Sequence, residues 1–289
     1  MESIKKRPLK FFFRVLHLLF AEQSSVLHLV QKSYDRISVQ YDDAWTSHMR
    51  DRSEELIEHL NPKTHQKALD LTCGTGFVTH LLSDRTQQKT IGVDISEGML
   101  AQARKNYGHH CEFVQSDILT YLHTLPPDSL DVVTCCWGLG YSKPFAVVKQ
   151  IKRVLKKGGK FAIIDNSLFS LFEVLYCSCL AFLEKPQALN NIMRFRFLSS
   201  RKHLSLWLRL AGLKPLDTWQ DKKTYTVDSG EMAIDRLRST GAAAGFEYAA
   251  KPEYEQEIFA RFAQIMEQKY LHDGKITITH RYLAGIAEK

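Results

Sequence analysis

From about residue 50, short apolar runs alternate with segments whose apolar residues recur every three to four positions, as strands and helices do when they follow one another. Arg52 to Leu60 reads as a helix stopped by Asn61-Pro62, "KALDL" as a buried strand, Gly76 to Leu82 as a helix and "KTIGVD" as a strand. Glu97 to Asn106 is again helical, "CEFVQ" and "LDVVTCC" are strands, Phe145 to Leu155 is a helix, "KKGG" a turn and "KFAIID" a strand. Strands alternating with helices in this way predict one doubly wound, mostly parallel sheet.

After Asp165 the rhythm breaks. Ser167 to Leu183 is almost wholly apolar, interrupted at Glu173. Its length, roughly seventeen residues, stands at the lower edge of a membrane span, and its polar and small residues favour a buried or interfacial helix. A helix over about 202–211 stops at Gly212, a left-handed cap, "LKPLDTWQ" reads as a strand, and "KITITHRYLAGIAEK" as a long final strand rich in β-branched residues. At the other end, "KKRPLKFFFRVLHLLF" carries an apolar stretch of about ten residues broken by Arg14 and His17, too short to span, with no small-residue cleavage site behind it. It predicts an amphipathic basic helix that either packs on the domain or lies on a membrane. Without internal repeats or low-complexity linkers, the chain divides into a helical extension over 1–48 and one domain over 49–289 with a helical insertion at about 167–200.

Composition adds bounds. The 289 residues are 44% hydrophobic and 25% charged, which excludes a disordered or fibrous chain. The net charge of +7 is unevenly spread. Lys5, Lys6, Arg7, Lys10 and Arg14 crowd the N-terminus, and Lys185, Arg194, Arg196, Arg201, Lys202, Arg209 and Lys214 follow one another without an acid between Glu184 and Asp217. Both clusters neighbour apolar runs, and no nucleic-acid-binding signature accompanies them, so they favour an anionic membrane surface or an acidic partner over nucleic acid. Six irregularly spaced cysteines read as reduced thiols of a cytoplasmic protein, none with zinc-ligand spacing, and no metal is expected. The expected location is cytoplasmic, with residues 1–20 and 168–183 as candidates for peripheral contact on the inner face of a membrane.

The chemistry concentrates in "ALDLTCGTGFVTHLL", an apolar strand ending near Asp70, then Gly74, Thr75 and Gly76, then a helix. Glycines there permit φ > 0 and close approach of a ligand to the backbone, and the helix start offers free N–H donors. Asp94 closes the next strand and Asp117 follows the third. An acid at the end of the second strand is where a doubly wound nucleotide site takes a ribose diol. A dinucleotide oxidoreductase shares the glycine turn and one strand-end acid, but it lacks the third acid and usually carries a third glycine further along the helix; here Gly76 is followed by "FVTHLL".

The segments "LDLTCGTG", "GVDIS" and "SDI" resemble three successive motifs of the class I S-adenosylmethionine-dependent methyltransferases, over roughly residues 65 to 165. The resemblance implies a Rossmann-like, doubly wound, mostly parallel seven-stranded sheet with an antiparallel last strand, and S-adenosyl-L-methionine as cofactor. It implies that Asp70 and the loop Gly74, Thr75, Gly76 hold the methionine end, that Asp94 with Ile95 takes the ribose, and that Asp117 with Ile118 takes the adenine, with Met99 nearby. Cys136 and Trp137, past the fourth strand, are expected to line the pocket. The family usually has glycine where this chain has Thr72.

"YDRISVQYDDAW" resembles the segment that precedes the core in the quinone C-methyltransferases and in the malonyl carrier-protein O-methyltransferases, where it folds over the cofactor. That implies Tyr34 or Tyr41 near the methyl group. "AIDRLRSTGAAAGF" and "ITHRYLAGIAEK" resemble the end of the second branch, in which Arg194, Arg196 and Arg201 would suit an acidic carrier protein. The apolar insertion and N-terminus suit a small hydrophobic or aromatic acceptor instead. Methyl transfer asks mainly for alignment in a dry site, and for a base only when the acceptor must lose a proton. Tyr41, His48 and Tyr141 are the candidate catalytic residues, with His280 a further candidate base. A non-catalytic cofactor-binding adaptor is the alternative from another class, opposed by the intact acids.

Overall fold

In the computed structural model, which describes residues 7–20, 26–193, 195–241 and 244–289, the apolar runs become the strands they predict. These are β1 (Ala68–Leu71), β2 (Thr90–Asp94), β3 (Cys111–Gln115), β4 (Leu130–Cys136) and β5 (Leu155–Asn166), with β6 (Lys214–Val227), β7 (Leu271–His272) and β8 (Lys275–Glu288) after them. The sheet order is β3-β2-β1-β4-β5-β8-β6, with β7 paired to β8 off this path. β1 to β5 are mutually parallel, and β8 runs antiparallel to β5 from Lys160↔Glu288 to Asn166↔Tyr282. After β1 the chain builds outward through β2 and β3, then returns to lay β4 on the other side of β1. That reversal makes the carboxyl ends of β1 and β4 the switch point at which such sheets take ligands.

Helices cover both faces because β1, β4 and β5 are apolar on both. Ile118 and Leu122 of α6 (Ile118–Thr124), Val147, Val148 and Ile151 of α7 (Pro144–Val154) and Leu204 and Leu208 of α9 (Arg201–Leu210) pack against Leu69, Val133 and Phe161. On the other face, Leu56, Ile57 and Leu60 of α3 (Ser47–Leu60) and Phe77, Val78 and Leu82 of α4 (Phe77–Thr86) meet Val132, Ala162 and Ile164. Leu100 and Ala103 of α5 (Glu97–Tyr107) close over Phe113.

The described residues group into two units. The first comprises residues 34–169, 195–221 and 281–289 and contains all of β1 to β5; the second comprises the described residues before 34, those from 170 to 193 and those from 222 to 280. The expected division at residue 48 with an insertion at 167–200 is drawn differently here, because the second unit is assembled from three separate stretches. Its core joins Leu18 of α1 (Arg7–Phe20) to Val174, Cys177 and Phe182 of α8 (Phe172–Glu184), Ile234 and Leu237 of α10 (Gly230–Thr240), and Phe259, Phe262 and Met266 of α11 (Glu255–Tyr270). α8 starts five residues later than the apolar run from Ser167 predicts. The Ser167 and Leu168 N–H groups donate instead to the Arg281 and Leu198 carbonyls, so strand-like pairing holds those residues out of the helix. α11, with six buried apolar residues in helical phase, is an element the sequence reading leaves unassigned. Among the described residues no helix is long and apolar enough to cross a membrane.

Candidate functional site

The site grows from the end of β1, in the first unit. Asp70 is 1% exposed. Its oxygens accept from Thr134 Oγ1 at 2.6 Å and Thr79 Oγ1 at 2.7 Å, so the carboxyl ties β1 to β4 and α4 from beneath the loop. Burial pushes it up to about 7, against the pull of those two hydroxyls. Above it the backbone turns through the left-handed region at Thr72 (φ 58°), Gly74 (φ 52°) and Gly76 (φ 88°). A β-branched residue at positive φ is an outlier. Thr72 is held there by its own hydroxyl, which donates to the Leu71 and Cys136 carbonyls at 2.5 and 3.1 Å.

Asp94, half-buried at the end of β2, accepts the Gly74 N–H on Oδ2 at 2.9 Å and the Ser96 N–H on Oδ1 at 3.0 Å. Two backbone donors thus fix the plane of this carboxylate at the mouth of the switch point. Burial raises its pKa, and the N–H bonds work the other way. Ile95 follows, half-buried, its carbonyl accepting from Gln115 Nε2 at 3.2 Å. Ser96 caps α5 through the Met99 N–H. Met99 itself is 1% exposed, a core residue under this turn. Asp117 caps α6, accepting from the Thr120 N–H at 2.9 Å, and Ile118 is buried beside it. The cap occupies Oδ1 and leaves the carboxylate half-exposed at the end of β3.

The segment ahead of the core is pinned across these loops by two acids that the sequence reading does not single out. Asp35 Oδ1 accepts from Ser96 Oγ at 2.6 Å and from the Gly98 N–H at 3.0 Å. A Cβ on Gly98 would lie 2.9 Å from Asp35 Cα, so only glycine lets the segment come this close. Asp42 Oδ1 accepts from Thr75 Oγ1 in the glycine loop at 2.5 Å and from Thr46 Oγ1 at 2.8 Å. Asp42 opens a π-helical turn, Asp42–Thr46, a rare geometry frequent at functional sites. A signal was present in the chain: Tyr34-Asp35 and Tyr41-Asp42 repeat seven residues apart, two helical turns, which places both pairs on one side.

This clamp gathers the tyrosines. Tyr34 meets Tyr41 edge-on at 5.9 Å between ring centres and Tyr141 at 6.2 Å. Tyr141, in a 3₁₀ turn Leu139–Tyr141 after β4, also meets Phe195 and Phe197. Tyr41 lies over the glycine loop, its Cε1 4.0 Å from where a Gly74 Cβ would be. Burial raises the Tyr34 and Tyr41 hydroxyls well above their ordinary range, and the nearby Asp94 carboxylate adds to it. Both are neutral phenols.

His48 sits half-buried on α3, two turns beyond Tyr41. Cys136 is buried, its side chain within the α3 and α4 face of the sheet, so what it offers the switch point is its carbonyl, already bonded to Thr72. The Trp137 indole N–H donates to Ser53 Oγ at 3.0 Å and the ring meets Trp45, which turns it toward α3. His280 belongs to the second unit, 1% exposed and edge-on to Tyr225. Of the carrier-protein candidates, Arg196 and Arg201 are exposed, while Arg194, like Lys5 and Lys6 at the N-terminus, lies outside the described residues.

Residues 68–159 match the family model of a methyltransferase domain. The chain is 28% identical over 248 residues to a demethylmenaquinone methyltransferase of Lactococcus lactis, covering 79% of this chain and 89% of that one. It is 36% identical over 194 residues to a trans-aconitate 2-methyltransferase of Acidovorax, covering 65% and 72%. With a malonyl-[acyl-carrier protein] O-methyltransferase of Paenibacillus it shares 23% identity over 277 residues, 88% of this chain and 96% of the other. The fold matches that of phosphoethanolamine N-methyltransferase 2 of Haemonchus contortus, solved with S-adenosyl-L-methionine, at a TM-score of 0.57 and 16% identity, over 93% of this chain and 60% of that one.

Proposed function

The chain belongs to the S-adenosylmethionine-dependent methyltransferases, and on that premise we propose that it methylates a small, apolar, ring-bearing acceptor received beneath the segment from Tyr34 to Thr46. The observation that carries the reading is the double clamp of Asp35 and Asp42, which holds the segment of Tyr34 and Tyr41 against the glycine loop and the start of α5, with Tyr34 meeting Tyr141. The relative that acts on demethylmenaquinone, by its name, supports a ring-bearing acceptor.

The loop residues fit the cofactor. Gly74 and Gly76 carry the loop through positive φ, Gly74 with open space beside it and Gly76 packed on Phe113, and the Asp94 carboxylate is fixed at the mouth by two N–H donors while remaining half-exposed. S-adenosylmethionine supplies a methyl group activated on a sulfonium. In this reading Asp94 and Ile95 hold its ribose, Asp117 and Ile118 its adenine edge, and Gly74 to Gly76 its methionine end. Asp70 acts from below by shaping the loop. Tyr34, Tyr41 and Tyr141 exclude water, and their ring faces favour a cation by the quadrupole attraction that aromatic cages use. As neutral phenols Tyr34 and Tyr41 orient and pack rather than take a proton.

A carrier-protein-bound acyl group is the second reading, favoured by the near full-length match to the malonyl-carrier enzyme and by exposed Arg196 and Arg201. A peripheral membrane contact through α1 extends the first, on the exposed Leu9, Phe12, Phe13, Leu16 and Phe20 of that helix. Incubating the protein with isotopically labelled S-adenosylmethionine and a cell extract separates the readings. We expect a labelled small, apolar product and its loss, together with at least tenfold weaker S-adenosylhomocysteine binding, in Asp94→Ala. A label that travels with a carrier protein, and a raised KM in Arg196→Glu, would establish the second reading in its place.

A further inference from the structure

Two stretches of the first unit concentrate positive charge. Residues 132–164 carry seven Lys or Arg and residues 195–216 carry five, with no Asp or Glu in either. Together they exceed the net +7 of the whole chain, so the remainder is net negative and the charge is local. The fold lays both stretches on one side of the sheet, as α7 and α9, whose inner residues Val147, Ile151, Leu204 and Leu208 share one core.

The seam between the two helices is aromatic. Phe145 of α7 meets Trp207 of α9 edge-on at 5.6 Å, and His203 meets Trp207 at 6.2 Å. Both Phe145 and Trp207 are half-buried. On the outer side of α9, Leu206 and Leu210 are 54% and 62% exposed, one turn apart. Cations flank this apolar strip. On the α7 side, Lys149 Nζ lies 4.9 Å from the centre of the Phe145 ring, and the Lys152 side chain passes 3.5 Å from where a Gly212 Cβ would be. On the far side, Lys202 and Arg209 are exposed and stand about 140–160° round the helix axis from Trp207. None of these four forms an ion pair among the described residues, whereas Lys156 pairs with Asp131, Lys289 with Asp128, Lys185 with Glu257 and Arg261 with Glu184.

Like charges gathered without counter-charges repel one another, and an anionic partner relieves that repulsion. Protein interfaces are enriched in Trp, Phe and Arg and depleted of acids, which is the composition of this face. Its two large rings sit in the seam, unlike α1, where six large apolar side chains stand out, and this favours a protein surface over insertion into lipid. We infer that the α7–α9 face docks an acidic protein through an amphipathic helix. The apolar side chains of that helix meet Trp207, Leu206 and Leu210, and its carboxylates pair with Lys149 and Lys152 on one flank and with Lys202 and Arg209 on the other. This docking goes beyond the choice of acceptor, since none of these residues belongs to the cofactor loops or the tyrosine cluster. Attraction of this kind speeds encounter and fixes register, and salt weakens it.

The test titrates the full chain into a fluorescein-labelled helical peptide of about twenty residues, Leu along one face and Glu on both flanks, and reads anisotropy. The peptide should bind saturably, and a permuted peptide of the same composition should bind at least about fivefold more weakly. Lys202→Glu with Arg209→Glu, and separately Lys149→Glu with Lys152→Glu, should each weaken binding at least about tenfold. Lys89→Glu with Lys105→Glu makes the same change of charge at exposed positions ahead of β2 and on α5, and should weaken it by no more than about twofold. Equal losses in all three pairs would show that net charge alone binds the peptide. That result, equal binding of the two peptides, or no saturable binding overturns the inference. Tighter binding to duplex DNA, or to phosphatidylcholine vesicles with about one-third phosphatidylglycerol, lost in the same two pairs, would give the face to nucleic acid or to lipid instead. Should one pair fail to fold by circular dichroism, the other pair decides.

Discussion

Thr72 and Gly138 form a pair that neither residue explains alone. Thr72 holds a left-handed backbone at φ 58°, at a cost of about 1–3 kcal/mol for a residue of its kind. It does so because its hydroxyl bridges β1 to the end of β4. Its side chain is tolerated because position 138 has none: a Cβ there would sit 2.6 Å from Thr72 Cβ. Gly138→Ala should therefore lower stability by about 1–3 kcal/mol. Thr72→Gly in the same chain should recover at least about 1 kcal/mol of that loss, read as a non-additive double-mutant cycle in urea denaturation. Additive losses would mean that the two side chains do not meet.

Among elements, the segment Tyr34–Thr46 reaches the loops through side-chain hydrogen bonds of Asp35 and Asp42, so its position hangs on few atoms. Asp42→Ala frees Thr75, and Asp35→Ala frees the start of α5. Each should raise the dissociation constant for S-adenosylhomocysteine by about fivefold to thirtyfold, corresponding to about 1–2 kcal/mol for a lost charge-assisted bond. Each should also speed proteolytic cleavage within 34–46, with the melting temperature of the sheet little changed. α1 poses a different question. Leu9, Phe12, Phe13, Leu16 and Phe20 are exposed while Leu18 is buried, so this helix is apolar on its outer side as well as its inner one. Spacings of three and four residues make the outer set a stripe, and Arg7 and Lys10 accompany it. If it lies on lipid, the wild type should float with vesicles containing anionic phospholipid, and Phe12→Glu with Phe13→Glu should remove it. Equal flotation of the variant would rule out that contact.

For the whole molecule, two buried acids set the response to pH. Asp70 and Asp165 both titrate near 7 in the fold and near 4 in an unfolded chain. The folded state therefore binds more protons between those values, and stability must fall as pH rises through the interval, by a few kcal/mol for each group. The melting temperature should drop from pH 5 to pH 8, and Asp165→Asn should flatten part of that drop; a curve that rises over the range would show these carboxyls to be ionised at little cost. The same contrast marks what could be read from the chain. The parallel core, the glycine loop and the acids at the ends of β1, β2 and β3 were legible because period and spacing are local properties, and a strand, a turn and a helix start each need only neighbours in sequence to form. The family was legible for the same reason. The partners of those acids were not. Thr134 lies 64 positions from Asp70, Ser96 lies 61 from Asp35, and Gly140 lies 25 from Asp165. Asp165 read as the end of a strand, and Asp35 and Asp42 as polar residues of an amphipathic segment. Hydrophobic burial is non-directional and shows in a pattern, whereas a hydrogen bond between distant residues exists only once packing has brought the two atoms within about 3 Å. The sequence by itself determined the sheet and the cofactor; tertiary structure decided which carboxyls clamp the segment ahead of the core, as Asp35 and Asp42 do, and which brace the turns after β1 and β4 from within, as Asp70 and Asp165 do.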